Sequence, residues 1–305
     1  MRLKTAGILS PGDMGHTVGQ VLVSHGLRVI TCLQGRSERT SSLARRAHIA
    51  NVPTYQALVN EADIILSILV PAQATQAAQL IAQAVSETRA ELIYADCNAI
   101  APQTTCQIDE MITDAGGIFV DTGIIGPPPR KEGLTRFYAS GPHVDTFEEL
   151  TQFGLDVIVL GEQIGQASAI KMCYAALTKG LAAMCTELLT AAEILGVSQA
   201  LKQEFQLSQS PLYEHMEQQL PIMPMKSRRW IGEMEEIAKT FDHVGLTPKI
   251  LAGAADIYRF VGETDLAERT PEDSSPLPTL TQMFSILASH LLELQNNRKK
   301  AKHSL

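Results

Sequence analysis

Residues 5–15 read TAGILSPGDMG, a short apolar run that ends in a turn with two glycines and a proline. A segment of helical periodicity follows directly at residues 15–25. This order is typical of a dinucleotide-binding unit, in which Gly12 lets the backbone approach a pyrophosphate and Gly15 permits close helix packing. Ser10 stands where the first glycine usually lies, and an ordinary tight turn is the alternative. The turn residues predicted to contact the cofactor are Ser10, Pro11, Gly12, Asp13, Met14 and Gly15.

The first part of the chain alternates short apolar runs with helix-length segments, which predicts parallel strands joined by right-handed crossovers. The run at residues 64–69 is almost continuously apolar, so it predicts a central strand buried on both faces. We therefore expect a Rossmann-type, doubly wound sheet over residues 1–163. The predicted strands lie at residues 5–9, 28–33, 64–69, 92–96, 118–121 and 136–140.

The second part is predicted to be all helical, so that the fold class is α/β followed by all-α. Alanine and leucine dominate residues 166–195 without a proline, which predicts one long interdomain helix, placed at 164–196. An all-helical domain for substrate binding and dimerisation is predicted at 197–296, and a disordered basic tail at 297–305. Its helices are predicted at residues 199–207, 227–243, 248–261 and 276–296.

Composition narrows the choice of partners. The 305 residues carry a formal net charge of −8, which argues against a surface for nucleic acid. The five cysteines form no CxxC pair, as expected of reduced thiols in the cytoplasm. No run approaches the roughly 18 apolar residues of a membrane span, and the N-terminus lacks a signal-peptide core. We expect a cytoplasmic protein with a small-molecule substrate, no metal site, and neither nucleic acid nor membrane as a partner.

The segment after the second predicted strand bears on the choice of cofactor. Residues 32–40 read CLQGRSERT, without the acidic residue that an NAD enzyme places at the strand end for the ribose hydroxyls. Arg36 and Ser37 follow instead, and a guanidinium and a hydroxyl suit a 2′-phosphate. The sequence therefore favours NADP over NAD, with a solvated surface loop as the alternative.

Three later loops follow predicted strands, and open α/β sheets bind ligands at the carboxyl ends of their strands. The second of these loops contains Asn98, whose side chain offers a hydrogen-bond donor and a hydrogen-bond acceptor. Asn98 could instead cap a helix. The third loop, DTGIIGPPP at residues 121–129, could shape a substrate pocket or merely form a turn. The candidate contacts in these loops are Leu69, Val70, Pro71 and Asn98 for the cofactor, and Gly123, Ile125 and Gly126 for the substrate.

Lys171 lies on the predicted long helix among small and apolar residues. A lysine in such surroundings loses hydration, which lowers its pKa towards the range useful for acid–base catalysis. Tyr174 follows three residues later and could share the site. The alternative is a lysine that extends its amine into solvent at the domain junction.

Several motifs, in order along the chain, resemble the β-hydroxyacid dehydrogenase family, which includes 3-hydroxyisobutyrate and 6-phosphogluconate dehydrogenases. A later segment, RWIGEMEEIA at residues 229–238, resembles a divergent helical domain of phosphogluconate-dehydrogenase-like proteins, and its Trp230 is a candidate substrate contact. The resemblance implies NAD(P)-dependent oxidation of a β-hydroxyacid or the reverse reduction, Lys171 as the acid–base group, and a homodimer formed through the helical domain. The motifs are the glycine turn at Met14-Gly15, Val70-Pro71, residues 96–102 and 121–126, Gly165 six residues before Lys171, and residues 192–196.

The chain also departs from the family pattern at positions near the expected substrate. Ala175 stands where the family has an asparagine four residues after the lysine, and Ile125 replaces a serine. Asn98-Ala99 replaces a Ser-Thr pair, and Glu233 replaces a lysine of a later helix. Cofactor binding and hydride chemistry therefore carry over better than the identity of the substrate.

The resulting hypothesis is hydride transfer between a carbinol carbon and the nicotinamide ring. Lys171 would take the hydroxyl proton, while Tyr174 and Asn98 would orient the oxygen and stabilise its charge. One alternative is an imine reductase on the same fold, against which the retained lysine argues. The other is a non-catalytic NADP-binding dimer that serves regulation or assembly.

Overall fold

The computed structural model describes residues 3–270 and 273–303. The chain forms two compact units, Met1–Tyr174 and Ala175–Leu305. Their boundary lies inside one long helix, Gln166–Ile194, which was predicted as a separate interdomain segment at 164–196.

The first unit is a sheet with helices between its strands. Its strands are β1 Thr5–Leu9, β2 Arg28–Cys32, β3 Ala50–Val52, β4 Ile64–Ser67, β5 Ile93–Asp96, β6 Ile118–Ile125, β7 Arg136–Ser140 and β8 Asp156–Gly161. Its helices are α1 Asp13–Ser24, α2 Glu38–Arg46, α3 Tyr55–Glu61, α4 Pro71–Thr88, α5 Pro102–Asp114 and α6 Val144–Glu148.

The sheet has eight strands in the order β3-β2-β1-β4-β5-β6-β7-β8. The chain moves outward from β1 in one direction through β2 and in the other through β4, which opens a crevice at the carboxyl ends of these strands. The prediction that every strand is parallel is wrong for β7, which pairs antiparallel with β6. The reason is that a loop without a helix joins these two strands, and parallel neighbours need a crossover.

The central strand predicted at residues 64–69 is confirmed. Ile64, Ile65 and Leu66 on β4 are all fully buried, and their side chains alternate between two apolar clusters on opposite faces of the sheet. Two strands, β3 and β8, were not predicted. The predicted loop at residues 121–129 is also wrong in its first part, because β6 continues to Ile125. Gly123 and Ile125 therefore lie on a strand rather than in a loop.

The second unit is helical, as predicted. Its helices are the C-terminal part of α7 Gln166–Ile194, α8 Ser198–Ser208, α9 Ser210–Gln219, α10 Pro224–His243, α11 Lys249–Gly262 and α12 Leu280–His303. Helix α9 was not predicted, and it contains a proline near its start. Pro211 lies in the first turn of the helix, where its missing N–H breaks no helical hydrogen bond.

Helix α12 continues to His303, so the expectation of a disordered tail from residue 297 is wrong for the residues described. Lys299 and Lys300 lie towards the end of this helix, where cations interact favourably with the helix dipole. Within the part of the chain that the structure describes, no helix has both the length and the apolarity needed to cross a membrane.

Candidate cofactor and catalytic site

The turn between β1 and α1 has the geometry of an anion-binding helix start. Ser10 has a φ of 59°, in the left-handed region, where a residue other than glycine costs roughly 1–2 kcal/mol. No side chain caps helix α1, so the amide N–H groups of its first turn lack a side-chain acceptor. A ligand with anionic oxygens can satisfy these donors.

The two glycines of this turn differ in what surrounds them. A Cβ at Gly15 would lie 2.8 Å from the Ser10 carbonyl oxygen and 3.3 Å from Ile8 Cγ2, so the glycine lets α1 pack against β1. A Cβ at Gly12 would meet nothing nearer than the Ser10 oxygen at 3.9 Å. The protein itself therefore does not require a glycine at position 12, whereas a ligand that approaches the backbone would.

Arg130, which the sequence analysis did not place at this site, contacts the start of α1. Its guanidinium Nη2 lies 2.9 Å from Oδ1 of Asp13, the first residue of α1. A carboxylate at this end of the helix would repel a phosphate, and the ion pair offsets that charge. Only the tertiary structure reveals the pair, since the two residues are 117 positions apart.

The predicted 2′-phosphate segment lies at the start of α2. Ser37 is the N-cap of this helix, and its hydroxyl oxygen accepts a hydrogen bond from the Thr40 N–H at 3.2 Å. Arg36 precedes this cap. Two other arginines of this region form ion pairs, Arg28 with Glu61 and Arg45 with Glu38. Neither ion pair includes Arg36. The segment thus combines a guanidinium with the amide donors of a helix N-terminus.

Asn98 connects the carboxyl ends of β4 and β5. Its Nδ2 donates to Ser67 Oγ and to Asp96 Oδ2, both at 3.0 Å, and its Oδ1 accepts from the Leu69 N–H at 2.6 Å. The alternative role as a helix cap is wrong, because Ala101 occupies the N-cap of α5. The Asn98 amide supports the loop of Leu69, Val70 and Pro71. Both Nδ2 protons are used in these bonds, so Asn98 could donate to a substrate oxygen, as predicted, only by breaking one of them.

Burial changes the titration of Asp96, which lies in this network. Burial raises the pKa of the Asp96 carboxyl to about 7, although the hydrogen bonds from Asn98 act in the opposite direction. Asp121, which is paired in register with Asp96 on the adjacent strand, raises this pKa further. In the unfolded chain the carboxyl titrates near its usual pKa of about 3.9.

We expect the replacement Asp96→Asn to remove a pH dependence of stability. Between about pH 4 and 7 the unfolded state binds fewer protons at Asp96 than the folded state, so stability falls as the pH rises through this window. The free energy of unfolding of the wild type, relative to the variant, should fall by about 4 kcal/mol between these limits. Urea denaturation over this pH range measures the difference. A difference that does not change with pH would contradict a carboxyl that titrates there.

Lys171 lies on α7 beside the end of β6. Its Nζ donates a hydrogen bond to the Ile124 carbonyl oxygen at 2.6 Å, and the side chain is half-buried. A Cβ at Gly123 would overlap the Ala167 carbonyl oxygen and lie 3.1 Å from Lys171 Cβ, so the glycine allows α7 to approach the strand. Tyr174 follows on the same helix and is 47% exposed.

The remaining predicted substrate contacts have structural roles of their own. The Ile125 side chain is only 3% exposed, so it presents little surface to a ligand. Gly126 has a φ of 128°, and a Cβ there would overlap the Leu134 carbonyl oxygen. This glycine therefore permits the turn that leaves β6. A substrate role for these residues stays a prediction.

Trp230 belongs to a cluster in the second unit. Its ring lies edge-on to Tyr258, with 5.3 Å between the ring centroids, and the Lys179 ammonium lies 5.5 Å from the Trp230 centroid. Lys179 also forms a buried ion pair with Glu233, at 2.6 Å. Glu233 is the residue that replaces a lysine of the family pattern, and Lys179 on α7 and Arg229 on α10, at 3.2 Å, compensate its charge. The sequence analysis did not identify Lys179.

The first unit places most of the predicted residues at one edge of its sheet. Strands β1, β2, β4, β5 and β6 are parallel, so their carboxyl ends lie at the same edge. Directly after these strands come the glycine turn, Arg36 and the loop held by Asn98. The strand end beside Lys171 belongs to β6 and lies at the same edge. This edge is where open α/β sheets bind dinucleotides.

Two families match the chain. Residues 5–153 match the NAD binding domain of 6-phosphogluconate dehydrogenase, and residues 192–261 match a domain of unknown function, DUF1932. The first match supports binding of a nicotinamide cofactor. Together with the fold, the matches support the β-hydroxyacid dehydrogenase family and confirm the resemblance found in the motifs.

Individual relatives agree with this assignment. An uncharacterised 28.5 kDa protein of Methanothermus fervidus is 28% identical over 84% of this chain and 98% of its own length. A solved conserved protein of unknown function, described as structurally similar to 3-hydroxyacid dehydrogenases, is 28% identical over 84% of this chain and 97% of its own, with a TM-score of 0.63.

Two more distant structures share the fold. The 3-hydroxyisobutyrate dehydrogenase of Mycobacterium tuberculosis, solved with L-serine, is 17% identical over 94% of this chain and 99% of its own, with a TM-score of 0.67. An imine reductase of Streptomyces aurantiacus is 15% identical over 84% of this chain and 93% of its own, with a TM-score of 0.53. At such identities the likeness concerns the fold alone.

Proposed function

We propose that the protein is an NAD(P)-dependent oxidoreductase that transfers a hydride between the nicotinamide and a small β-hydroxyacid or a related alcohol or carbonyl compound. The observation that carries this proposal is the amine of Lys171, which the Ile124 carbonyl holds at 2.6 Å at the cofactor edge of the sheet. An ammonium carries three N–H donors, and the Ile124 carbonyl accepts one of them.

The residues of the chain have separate roles in the reaction. When bound, the nicotinamide cofactor accepts or supplies the hydride. The turn with Gly12 binds and orients the pyrophosphate, and Asn98 fixes the loop at Leu69 beside it. Lys171 takes the hydroxyl proton in oxidation and returns it in reduction.

A screen of substrate classes tests the proposal. The oxidation or formation of NADPH is followed by absorbance with β-hydroxyacids, semialdehydes and cyclic imines, and we expect turnover with the first two classes. Turnover with cyclic imines alone would favour the alternative imine reductase. Stoichiometric cofactor binding without turnover of any compound would favour the non-catalytic regulatory dimer.

For the cofactor, we infer NADP rather than NAD, and Arg36→Ala tests the inference. We expect affinity for NADPH to fall between about tenfold and a hundredfold, because the variant loses charge-assisted hydrogen bonds to the 2′-phosphate. Affinity for NADH, which lacks that phosphate, should not change. Isothermal titration calorimetry measures both. Arg46→Ala is the matched control, since it removes the same charge from an exposed residue in the last turn of α2; an equal loss for both cofactors in Arg36→Ala would contradict the assignment.

The partners proposed from the sequence are a small-molecule substrate and a second copy of the chain, with neither nucleic acid nor membrane. The helical unit exposes large apolar side chains that a homodimer would cover. Leu177 on α7 and Ile250 on α11 are each 67% exposed, and Met184 lies on the same face of α7 as Leu177. Sedimentation equilibrium decides between dimer and monomer.

A further inference from the structure

A buried carboxylate on β6 connects the sheet to the first turn of α7. Asp121 is fully buried, and its Oδ2 accepts hydrogen bonds from the N–H groups of Gly165 at 2.9 Å and Ser168 at 3.1 Å. Its Oδ1 accepts from the Ser168 hydroxyl at 2.6 Å. Amide groups at a helix start have no acceptor within the helix, so Asp121 supplies one from a strand distant in sequence.

Further hydroxyl groups fix this turn from other elements. Ser140 on β7 donates to Asp121 Oδ2 at 3.0 Å and accepts from the Ala167 N–H at 3.0 Å. The Ser168 hydroxyl also lies 2.8 Å from the hydroxyl of Thr105 on α5. The start of α7 is therefore attached to β6, β7 and α5 through one carboxylate and its neighbours.

The same strand also sets the position of the next turn of α7. Lys171 lies three residues after Ser168, and residues at this spacing share a helix face. Gly123, two residues after Asp121 on β6, permits the close approach of the helix at Lys171 Cβ. One residue further along the strand, the Ile124 carbonyl accepts the Lys171 amine.

We infer that Asp121 is a positioning residue for Lys171, because it holds the first turn of α7 against β6 and so places the amine at the Ile124 carbonyl. The inference rests on the proposed function for the acid–base role of Lys171. The placement of the amine is a property of the fold and can be measured separately.

The placement of the Lys171 amine requires the hydrogen bonds of Asp121 and does not require its charge. An asparagine can accept the two amide N–H groups with its oxygen and donate from its nitrogen to the Ser168 hydroxyl, whose proton can turn to Thr105. Asp121→Asn therefore preserves the arrangement, whereas Asp121→Ala removes every acceptor. Ser168→Ala is a milder variant that removes the hydroxyl contacts with Asp121 and Thr105 and keeps both amide bonds to Asp121.

Steady-state kinetics with the substrate found in the screen provide the first readout. We expect Asp121→Ala to lower kcat by about a hundredfold, because a displacement of about 1 Å costs this much, with the KM for NADPH nearly unchanged. Asp121→Asn should restore most of kcat, and Ser168→Ala should lie between. A kcat for Asp121→Ala near that of the wild type would overturn the inference, as would an equal loss in Asp121→Asn.

A second readout does not depend on activity. Reductive ¹³C-methylation labels the lysine amines, and the Lys171 signal is identified by its loss in Lys171→Arg. We expect the chemical shift and titration of this signal to change in Ser168→Ala and Asp121→Ala, and to stay near the wild type in Asp121→Asn. An unchanged signal in both Ser168→Ala and Asp121→Ala would overturn the inference. Full turnover in Lys171→Ala would instead overturn the proposed function.

Discussion

We expect Lys171→Ala to lower the turnover number by at least about a hundredfold while leaving affinity for NADPH nearly unchanged. The variant loses the amine that exchanges the hydroxyl proton, and it leaves the turn between β1 and α1 intact. Steady-state kinetics measure the turnover number, and the fluorescence of bound NADPH measures its affinity.

Two further variants separate proton transfer from other roles of Lys171. Lys171→Arg keeps the positive charge but cannot release a proton near neutral pH, so we expect nearly the same loss as in Lys171→Ala. Lys202→Ala removes a partly exposed lysine of α8, paired with Glu217 at 3.9 Å, and should keep wild-type turnover. Recovery of activity in Lys171→Arg would assign Lys171 an electrostatic role, and near-wild-type turnover in Lys171→Ala would remove it from the mechanism.

The parts of the fold that the sequence predicted are those where burial dictates residue type over a whole element. The bounds of β1 and β7 agree with the prediction, and the long helix, placed at 164–196, begins and ends within two residues of it. Strand β3 has only three residues, and its Asn51 breaks the apolar pattern, so no periodicity identifies it. Strand β8 does carry an apolar run typical of a strand, VIVL at residues 157–160, although half of the residues of β8 are exposed.

The candidate site was predictable where one short segment determines the chemistry. The spacing of Gly12 and Gly15 and the small residues around Lys171 are local features, and the structure places both beside the cofactor edge. Contacts between distant segments were not predictable. Asp121 meets Gly165 and Ser168 at separations of 44 and 47 residues, and nothing in the loop-like sequence DTGIIG indicates that its aspartate caps a helix.

The same limit explains the two residues whose roles changed. Asn98 was placed correctly at a strand end, but its bonds to Leu69, Ser67 and Asp96 depend on the register of two neighbouring strands. From the sequence alone, Glu233 indicates only that a lysine of the family pattern is missing. One partner, Lys179, lies on another helix, so only the packing of α7 and α10 reveals that ion pair, whereas the second partner, Arg229, lies four residues earlier on the same helix.

The second large effect is expected at the dinucleotide turn. We expect Gly12→Val to lower affinity for NADPH by at least about a hundredfold, because the side chain would separate the pyrophosphate from the amide groups at the start of α1. Charge-assisted hydrogen bonds of about 1.5–3 kcal/mol each account for a loss of this size. Isothermal titration calorimetry measures the affinity.

The free energy of unfolding of Gly12→Val shows whether the loss of affinity comes from the binding site itself or from a change in the fold. Gly12 has a φ of −76°, which any residue can adopt, and a Cβ there has no neighbour within 3.9 Å, so the free energy of unfolding should change by less than about 0.5 kcal/mol. Gly15→Val is the contrasting variant, since its Cβ would lie 2.8 Å from the Ser10 carbonyl oxygen and must displace α1. It should lose stability as well as affinity. If Gly12→Val binds NADPH as the wild type does, the open space at Gly12 is not where a pyrophosphate approaches the backbone, and the glycine turn does not bind the cofactor.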